Sequence, residues 1–159
     1  MSKIHVPFLL PFIEAVHSTF ETMMRRKVIR KEIYTKKNHA MFGDISGVVG
    51  VSGKICGTSS VSLPGPMAIE CVGDMMGEEI SNGLADTIVQ DGVGEIINMV
   101  AGSAKTALAN TEYEIKCTLP TIISGRGHEL YHREGTYNVS VIFETDKGEE
   151  FALDVCMEE

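Results

Sequence analysis

The order of predicted elements repeats along the chain, and this repeat limits the folds open to it. Apolar residues at steps of three and four predict helices over residues 7–26 and 84–110. Each helix precedes one alternating strand and then a two-stranded hairpin; the strands cover residues 28–36, 44–51 and 58–63, then 112–119, 138–145 and 150–157. We therefore expect an α+β fold with duplicated helix plus three-strand units, in which an antiparallel sheet packs against long helices.

The two halves, residues 7–63 and 84–157, are predicted to share one core. A length of 159 residues suits a single domain over residues 1–159, which can bury a core without disulfides. A short helix over residues 67–76, ended by Gly77, connects the halves. The longest irregular segment is expected at residues 120–136, which are rich in Gly and His.

Charge and cysteine usage exclude several classes of function. The formal net charge of −8 disfavours nucleic acid and anionic membranes as partners, because both would repel most of the surface. The basic residues between Arg25 and Lys37 are expected to lie on a solvated helix end and strand face. Four widely spaced cysteines without a CxxC pair indicate reduced core thiols.

The apolar N-terminal stretch resembles neither a signal peptide nor a membrane span. Pro7, Pro11 and Glu14 interrupt it, and it falls short of the roughly 18 apolar residues that a span requires. We expect a cytoplasmic protein without a membrane segment.

The second long helix carries a polar stripe opposite an apolar sector. At about 100° per residue, five side chains fall within about 40° of one line: Asp91, Glu95, Asn98, Gly102 and Lys105. The opposite sector should face the core and contains Val89, Val93, Ile96, Ile97, Val100, Ala104 and Ala107. The helix is thus predicted to bury one face and to expose the stripe.

Glycines beside this stripe suggest a surface for docking. Gly92, Gly94 and Gly102 each cost about 1 kcal/mol relative to Ala in a helix interior. Glycine allows another group to approach the helix closely, so these positions favour contact with a partner. A solvated helix with incidental glycines explains the same pattern and stays open at this point.

The segment 91–102 resembles the signature of the CheC, CheX and FliY phosphatases. Asp91, Glu95, Asn98 and Gly102 stand at the spacing of that signature, and the family's duplicated helix plus three-strand fold matches the predicted order of elements. CheC-type members usually carry two Glu-x-x-Asn helices, whereas CheX-type members carry one, on the second helix. Here the first helix has Glu14 and His17 at the corresponding spacing, so CheX is the closer resemblance.

The resemblance implies removal of a phosphoryl group from a CheY-like receiver domain. It implies that Asn98 orients the attacking water and that Glu95 pairs with a lysine of the receiver. Asp91, Gly94, Gly102 and Lys105 would contact the partner. The chain itself would bind no cofactor, Mg²⁺ would be held by the receiver, and the protein would be a homodimer. A non-catalytic receiver-binding or flagellar-switch adaptor module is the alternative.

Histidines in the 120–136 segment invite a metal site. His128 and His132 are four residues apart and lie near Glu129 and Glu134. The surrounding glycines disfavour a regular helix, so the spacing does not place both rings on one face. We expect no metal site.

Overall fold

The computed structural model describes residues 5–80 and 83–158. Its helices are α1 (Val6–Met24), α2 (Gly65–Met76) and α3 (Thr87–Leu108), with a 3₁₀ turn at Gly83–Ala85 before α3. Gly77, with φ of 68°, ends α2 in the left-handed conformation that glycine adopts without strain. No helix in the described ranges combines the length and apolar character needed to cross a membrane.

All strands belong to one antiparallel sheet, which confirms the predicted α+β class. They are β1 (Val28–Thr35), β2 (Ile45–Gly53), β3 (Cys56–Leu63), β4 (Ile115–Cys117), β5 (Thr121–Ser124), β6 (Tyr137–Thr145) and β7 (Glu150–Glu158). The sheet order is β1-β6-β7-β3-β2-β4, and β5 also pairs with β2.

The two halves of the chain exchange strands within this sheet. The first strand of the N-terminal half, β1, pairs with the hairpin β6–β7 of the C-terminal half. In the same way, β4 and β5 pair with β2 of the N-terminal hairpin. The pair β3–β7 joins the two sets at the centre of the sheet. Each half therefore completes the sheet of the other, and their cores are continuous.

The helices cover one face of the sheet and enclose the apolar core. Under α1, the Phe20 and Phe151 rings stack at 4.3 Å between centroids, and Phe151 stacks on Phe143 at 5.3 Å. Under α3, a Cβ built at Gly47 would lie 2.9 Å from Ile97 Cγ2. Glycine at this position of β2 therefore lets α3 approach the sheet closely.

The predicted strand at residues 112–119 is shorter than expected. Pairing with β2 ends at Cys117 and resumes at Thr121, because Pro120 has no N–H to donate to the ladder. The segment 120–136 was therefore wrongly predicted to be irregular throughout, since it contains β5. On α3, Ala107 is exposed and Leu108 is buried, so the predicted core sector is shifted by one residue at the helix end.

The second face of the sheet is polar and is covered by two loops. Residues 36–44 and 125–136 meet at a bridge between Ala40 and Glu129. His128 Nε2 lies 2.7 Å from Ser46 Oγ, and His132 Nε2 lies 2.9 Å from Thr58 Oγ1. Burial lowers the pKa of His132, which keeps its ring neutral at pH 7. Both histidines thus hold the second loop on the sheet.

Two basic residues expected on a solvated face are buried instead. Lys36 Nζ lies 2.8 Å from Asp154 Oδ2, and both side chains are about 5% exposed.

Arg26 is 1% exposed at the end of α1. Its Nη1 donates to Asp74 Oδ2 at 2.7 Å, and its Nε donates to Glu149 Oε1 at 3.0 Å. Its Nη2 lies 2.9 Å from Glu70 Oε1 as an ion pair without hydrogen-bond geometry. Arg26 therefore links α1, α2 and the β6–β7 turn.

The cysteines are free thiols, but only two lie in the core. Cys71 and Cys156 are buried, Cys117 is half-buried and Cys56 is exposed. Burial raises the pKa of Cys71 to about 12, so this thiol stays protonated.

We expect Arg26→Met to destabilise the fold by about 2–3 kcal/mol, because it leaves Asp74 of α2 and Glu149 of the β6–β7 turn without their cation. Their partial exposure keeps the loss below that of a fully buried pair. Urea unfolding followed by circular dichroism measures the change. The matched control is Lys27→Met at the neighbouring exposed position, which should stay within about 0.5 kcal/mol of the parent chain.

Gly92 is where α2 packs against α3. A Cβ at Gly92 would lie 2.5 Å from Val72 Cγ1 and 2.6 Å from Cγ2, whereas a Cβ at Gly102 would meet nothing within 4 Å. Gly92 was predicted to favour contact with a partner, but the group that approaches it closely is Val72 of the same chain.

We predict opposite effects for the same substitution at these two glycines. Gly92→Ala should lower stability by about 1–3 kcal/mol through overpacking against Val72. Gly102→Ala should raise it by up to about 1 kcal/mol, because alanine is the better helix former. Thermal unfolding of both variants tests this. Equal shifts of Tm in one direction would contradict the packing described for Gly92.

Candidate functional site

The polar stripe lies on the exposed side of α3. Asp86 caps the helix through a 2.9 Å bond from the Ile88 N–H to its carboxylate, and the opposite side of α3 is fully buried from Val89 to Leu108. Five predicted site residues are exposed on this one surface: Asp91, Glu95, Asn98, Gly102 and Lys105. We call these five residues the stripe.

Gly94, the sixth predicted site residue, is buried. A Cβ at Gly94 would lie 3.3 Å from Ile122 Cδ1 and 3.6 Å from Pro120 Cγ. The glycine thus accommodates the chain's own β4–β5 segment, and it lies beneath the surface that a partner would meet.

Different elements border the stripe on its two sides. Around the helix axis, Gly92 is rotated by about 100° from Asp91 in one direction, and Gly94 by about 60° in the other. Because Gly92 contacts Val72 and Gly94 faces Pro120 and Ile122, α2 borders one side and the β4–β5 segment borders the other. The stripe is therefore a polar surface on α3 between two packed neighbours.

Glu95 and Asn98 are available to a partner. They are three residues apart, which places them one turn apart on the same side of the helix. Within residues 5–80 and 83–158, no hydrogen bond or ion pair engages either side chain. A carboxylate and an amide are thus presented together, and the amide can both donate and accept hydrogen bonds.

Lys105 extends the stripe toward β4. Burial raises the pKa of the Cys117 thiol, while the positive charge of Lys105 acts on it in the opposite direction. The two ends of the stripe carry opposite charges, Asp91 at one and Lys105 at the other.

The first helix does not present a comparable pair. Glu14 is exposed on α1, but His17 is half-buried, and its ring packs edge-on against Phe143 at 5.5 Å between centroids. A ring engaged with the sheet serves packing. In the described part of the chain, no three His, Cys, Asp or Glu side chains are grouped as a metal site would require.

Two contacts beside the site, at Gly94 and at Gly92, had no clear signal in the sequence. The β4–β5 interruption could have been foreseen from Pro120, but its contact with Gly94 depends on how the sheet and α3 pack. The neighbouring element α2 was predicted, but its packing against Gly92 was not.

Comparison with known proteins identifies a family and several solved structures that this chain resembles. A model of the chemotaxis phosphatase CheX family matches residues 45–144, more than half of the chain. No curated protein sequence matches. A CheC-like superfamily protein from Shewanella sp. PV-4 is 27% identical, with a TM-score of 0.88 over 98% of this chain and 100% of that one.

Two CheX structures extend the comparison. The chemotaxis protein CheX from Desulfovibrio desulfuricans is 32% identical, with a TM-score of 0.85 over 95% of this chain and 99% of that one. CheX in the CheX–CheY–BeF₃–Mg²⁺ complex from Borrelia burgdorferi is 20% identical, with a TM-score of 0.79 over 96% and 98%, and shows a common fold. Because the family model matches more than half of its length, this chain belongs to the chemotaxis phosphatase CheX family.

Proposed function

We propose that this chain hydrolyses the aspartyl phosphate of a CheY-like receiver domain. The observation that carries the proposal is the pair Glu95 and Asn98, exposed one turn apart on α3 and unengaged by the described chain. Membership of a phosphatase family supports it, as does the Borrelia burgdorferi structure in which a CheX is bound to CheY.

The chemistry requires little covalent participation from the phosphatase. A water attacks phosphorus, the bond from phosphorus to the aspartyl oxygen breaks, and a carboxylate and inorganic phosphate result. Positioning of the water and electrostatic stabilisation supply most of the acceleration in phosphoryl transfer. A rigid helix that enters the receiver's pocket can provide both.

Asn98 orients the water in this mechanism. Its amide oxygen accepts a hydrogen bond from the water, and its N–H₂ can donate to a phosphoryl oxygen without adding negative charge. A carboxylate at this position would repel the phosphoryl group. The helix α3 fixes the Asn98 backbone, because its opposite face is buried in the core.

Glu95 fixes the docked geometry by pairing with a lysine of the receiver. The pair forms between proteins, so it orients the two surfaces and discriminates among partners. Asp91, Gly102 and Lys105 line the remainder of the contact. At Gly102 the absence of a side chain leaves open space for the partner's backbone.

Mg²⁺ belongs to the receiver in this proposal. The cation neutralises charge on the phosphoryl group, and the receiver's own carboxylates hold it. We further propose that the chain acts as a homodimer in the cytoplasm, where its receiver would be found. Gly94 contributes indirectly, by allowing the β4–β5 segment to pack against α3 one turn before Asn98.

We expect Asn98→Ala to lower kcat by about a hundredfold or more, since one preorganised polar group is worth about 3 kcal/mol in the transition state. Release of inorganic phosphate from a phosphorylated CheY-type receiver measures this. Ser103→Ala, at an exposed position of the same helix, is the matched control and should retain the parent rate.

The same assay distinguishes the adaptor alternative. If the parent chain binds the phosphorylated receiver but does not accelerate phosphate release, the chain is an adaptor and the phosphatase proposal is wrong. If the parent chain accelerates release and Asn98→Ala does so equally well, the role assigned to Asn98 is wrong.

We predict that Glu95→Gln lowers kcat/KM by about tenfold or more, because the amide keeps the shape of the side chain but loses the intermolecular charge pair. The parent rate should fall with rising salt more steeply than that of Glu95→Gln, since salt screens the pair. Glu14→Gln, the corresponding exposed position of α1, should leave both quantities unchanged. An unaltered salt dependence in Glu95→Gln would contradict the pairing.

A further inference from the structure

An apolar side chain stands in the β4–β5 segment that borders the stripe. Leu119 is 86% exposed, the largest fraction among the big hydrophobic side chains of the described residues. Single exposed leucines are common on protein surfaces, so this fraction alone carries no conclusion. The position of Leu119 and the rigidity of its backbone distinguish it.

The segment that carries Leu119 packs against α3 at Gly94. Pro120, its neighbour in the chain, lies within 3.6 Å of the position that a Gly94 Cβ would occupy. Gly94 precedes Glu95 and lies one helical turn before Asn98 on the same side of α3. Leu119 therefore belongs to the segment that borders α3 at Gly94, one turn before Asn98.

The backbone at Leu119 is held by the edge of the sheet. Thr118 N donates to Gly50 O at 2.9 Å, and Thr118 Oγ1 accepts from Gly50 N at 2.8 Å. The Thr118 hydroxyl in turn donates to Leu119 O at 3.1 Å. Pro120 restricts the backbone on the other side. An exposed apolar group on so constrained a segment loses little conformational entropy when a partner covers it.

Charge gives the stripe little general affinity for a receiver. The chain carries a formal net charge of −8. In the proposed complex, the exposed Asp91 and Glu95 would lie near a pocket that holds carboxylates and a phosphoryl group. A single Glu95–lysine pair gives orientation more than affinity. Affinity at such a contact commonly comes from a few apolar anchors that become fully desolvated.

We propose that Leu119 is an apolar anchor, and that it seats against an apolar part of the receiver surface beside the phosphorylation pocket. This inference rests on the proposed function, since it requires that the stripe enters that pocket. Leu119 sets the affinity for the receiver and takes no part in the chemical step. Substitution there should therefore change KM and leave kcat near its parent value.

The test compares the parent chain with Leu119→Asp, Leu119→Ala and Leu119→Met, using a CheY-type receiver phosphorylated with acetyl phosphate. We expect Leu119→Asp to raise KM by about tenfold or more and Leu119→Ala by a smaller factor, with kcat within about twofold. Leu119→Met should keep the parent KM. Ile29→Ala, a 62% exposed aliphatic position on β1 at the opposite edge of the sheet, is the control and should change neither quantity.

Direct binding to a receiver activated with beryllofluoride separates the two proposals. If the parent chain releases no phosphate but Leu119→Asp still binds the activated receiver more weakly, the proposed function fails and the anchor stands. If Leu119→Asp retains its circular dichroism and Tm and binds as tightly as the parent, the anchor is overturned. A loss in kcat without a change in KM overturns it as well.

Discussion

The hydrogen-bonded pairing of β3 with β7 holds the two halves of this protein together. On one side of that pair, the C-terminal hairpin β6–β7 pairs with β1 of the N-terminal half. On the other side, the N-terminal hairpin β2–β3 pairs with β4 of the C-terminal half. The sheet that supports α3 is therefore assembled from both halves, with β2 from one and β4 and β5 from the other. The position of the stripe depends on this exchange, because α3 rests on β2 while its neighbour at Gly94 comes from the β4–β5 segment.

The buried core and the proposed functional residues lie on opposite sides of α3. The core side is buried and close-packed, with Gly47 and Gly92 admitting neighbours that a methyl group would displace. The outer side carries polar residues that make no contribution to that packing. Such a division lets the exposed pair be tuned for a partner without disturbing the fold, while the buried face gives it the rigidity that positioning a water demands.

Local patterns predicted the helices, the class of fold and the exposure of the stripe, because helical phase depends only on residue spacing. Contacts between distant segments had no such signal. Arg26 and Lys36 were placed on a solvated face, but carboxylates that lie far along the chain enclose them, at Glu149 and Asp154 among others. Gly92 likewise looked like a docking position, since the sequence does not say that Val72 packs there. The roles of Glu95 and Asn98 came from family resemblance and remain predictions.

The central place of β7 has a consequence for how the chain is made. Among the strands of the described sheet, β7 comes last in chain order, yet it pairs on both sides, with β3 and with β6. Until residues 150–158 emerge from the ribosome, β3 and β6 are not joined, and each has an unpaired edge that can pair with the wrong strand. The sheet can therefore close only after residues 150–158 have left the ribosome, because β3 and β6 both need β7 as their partner.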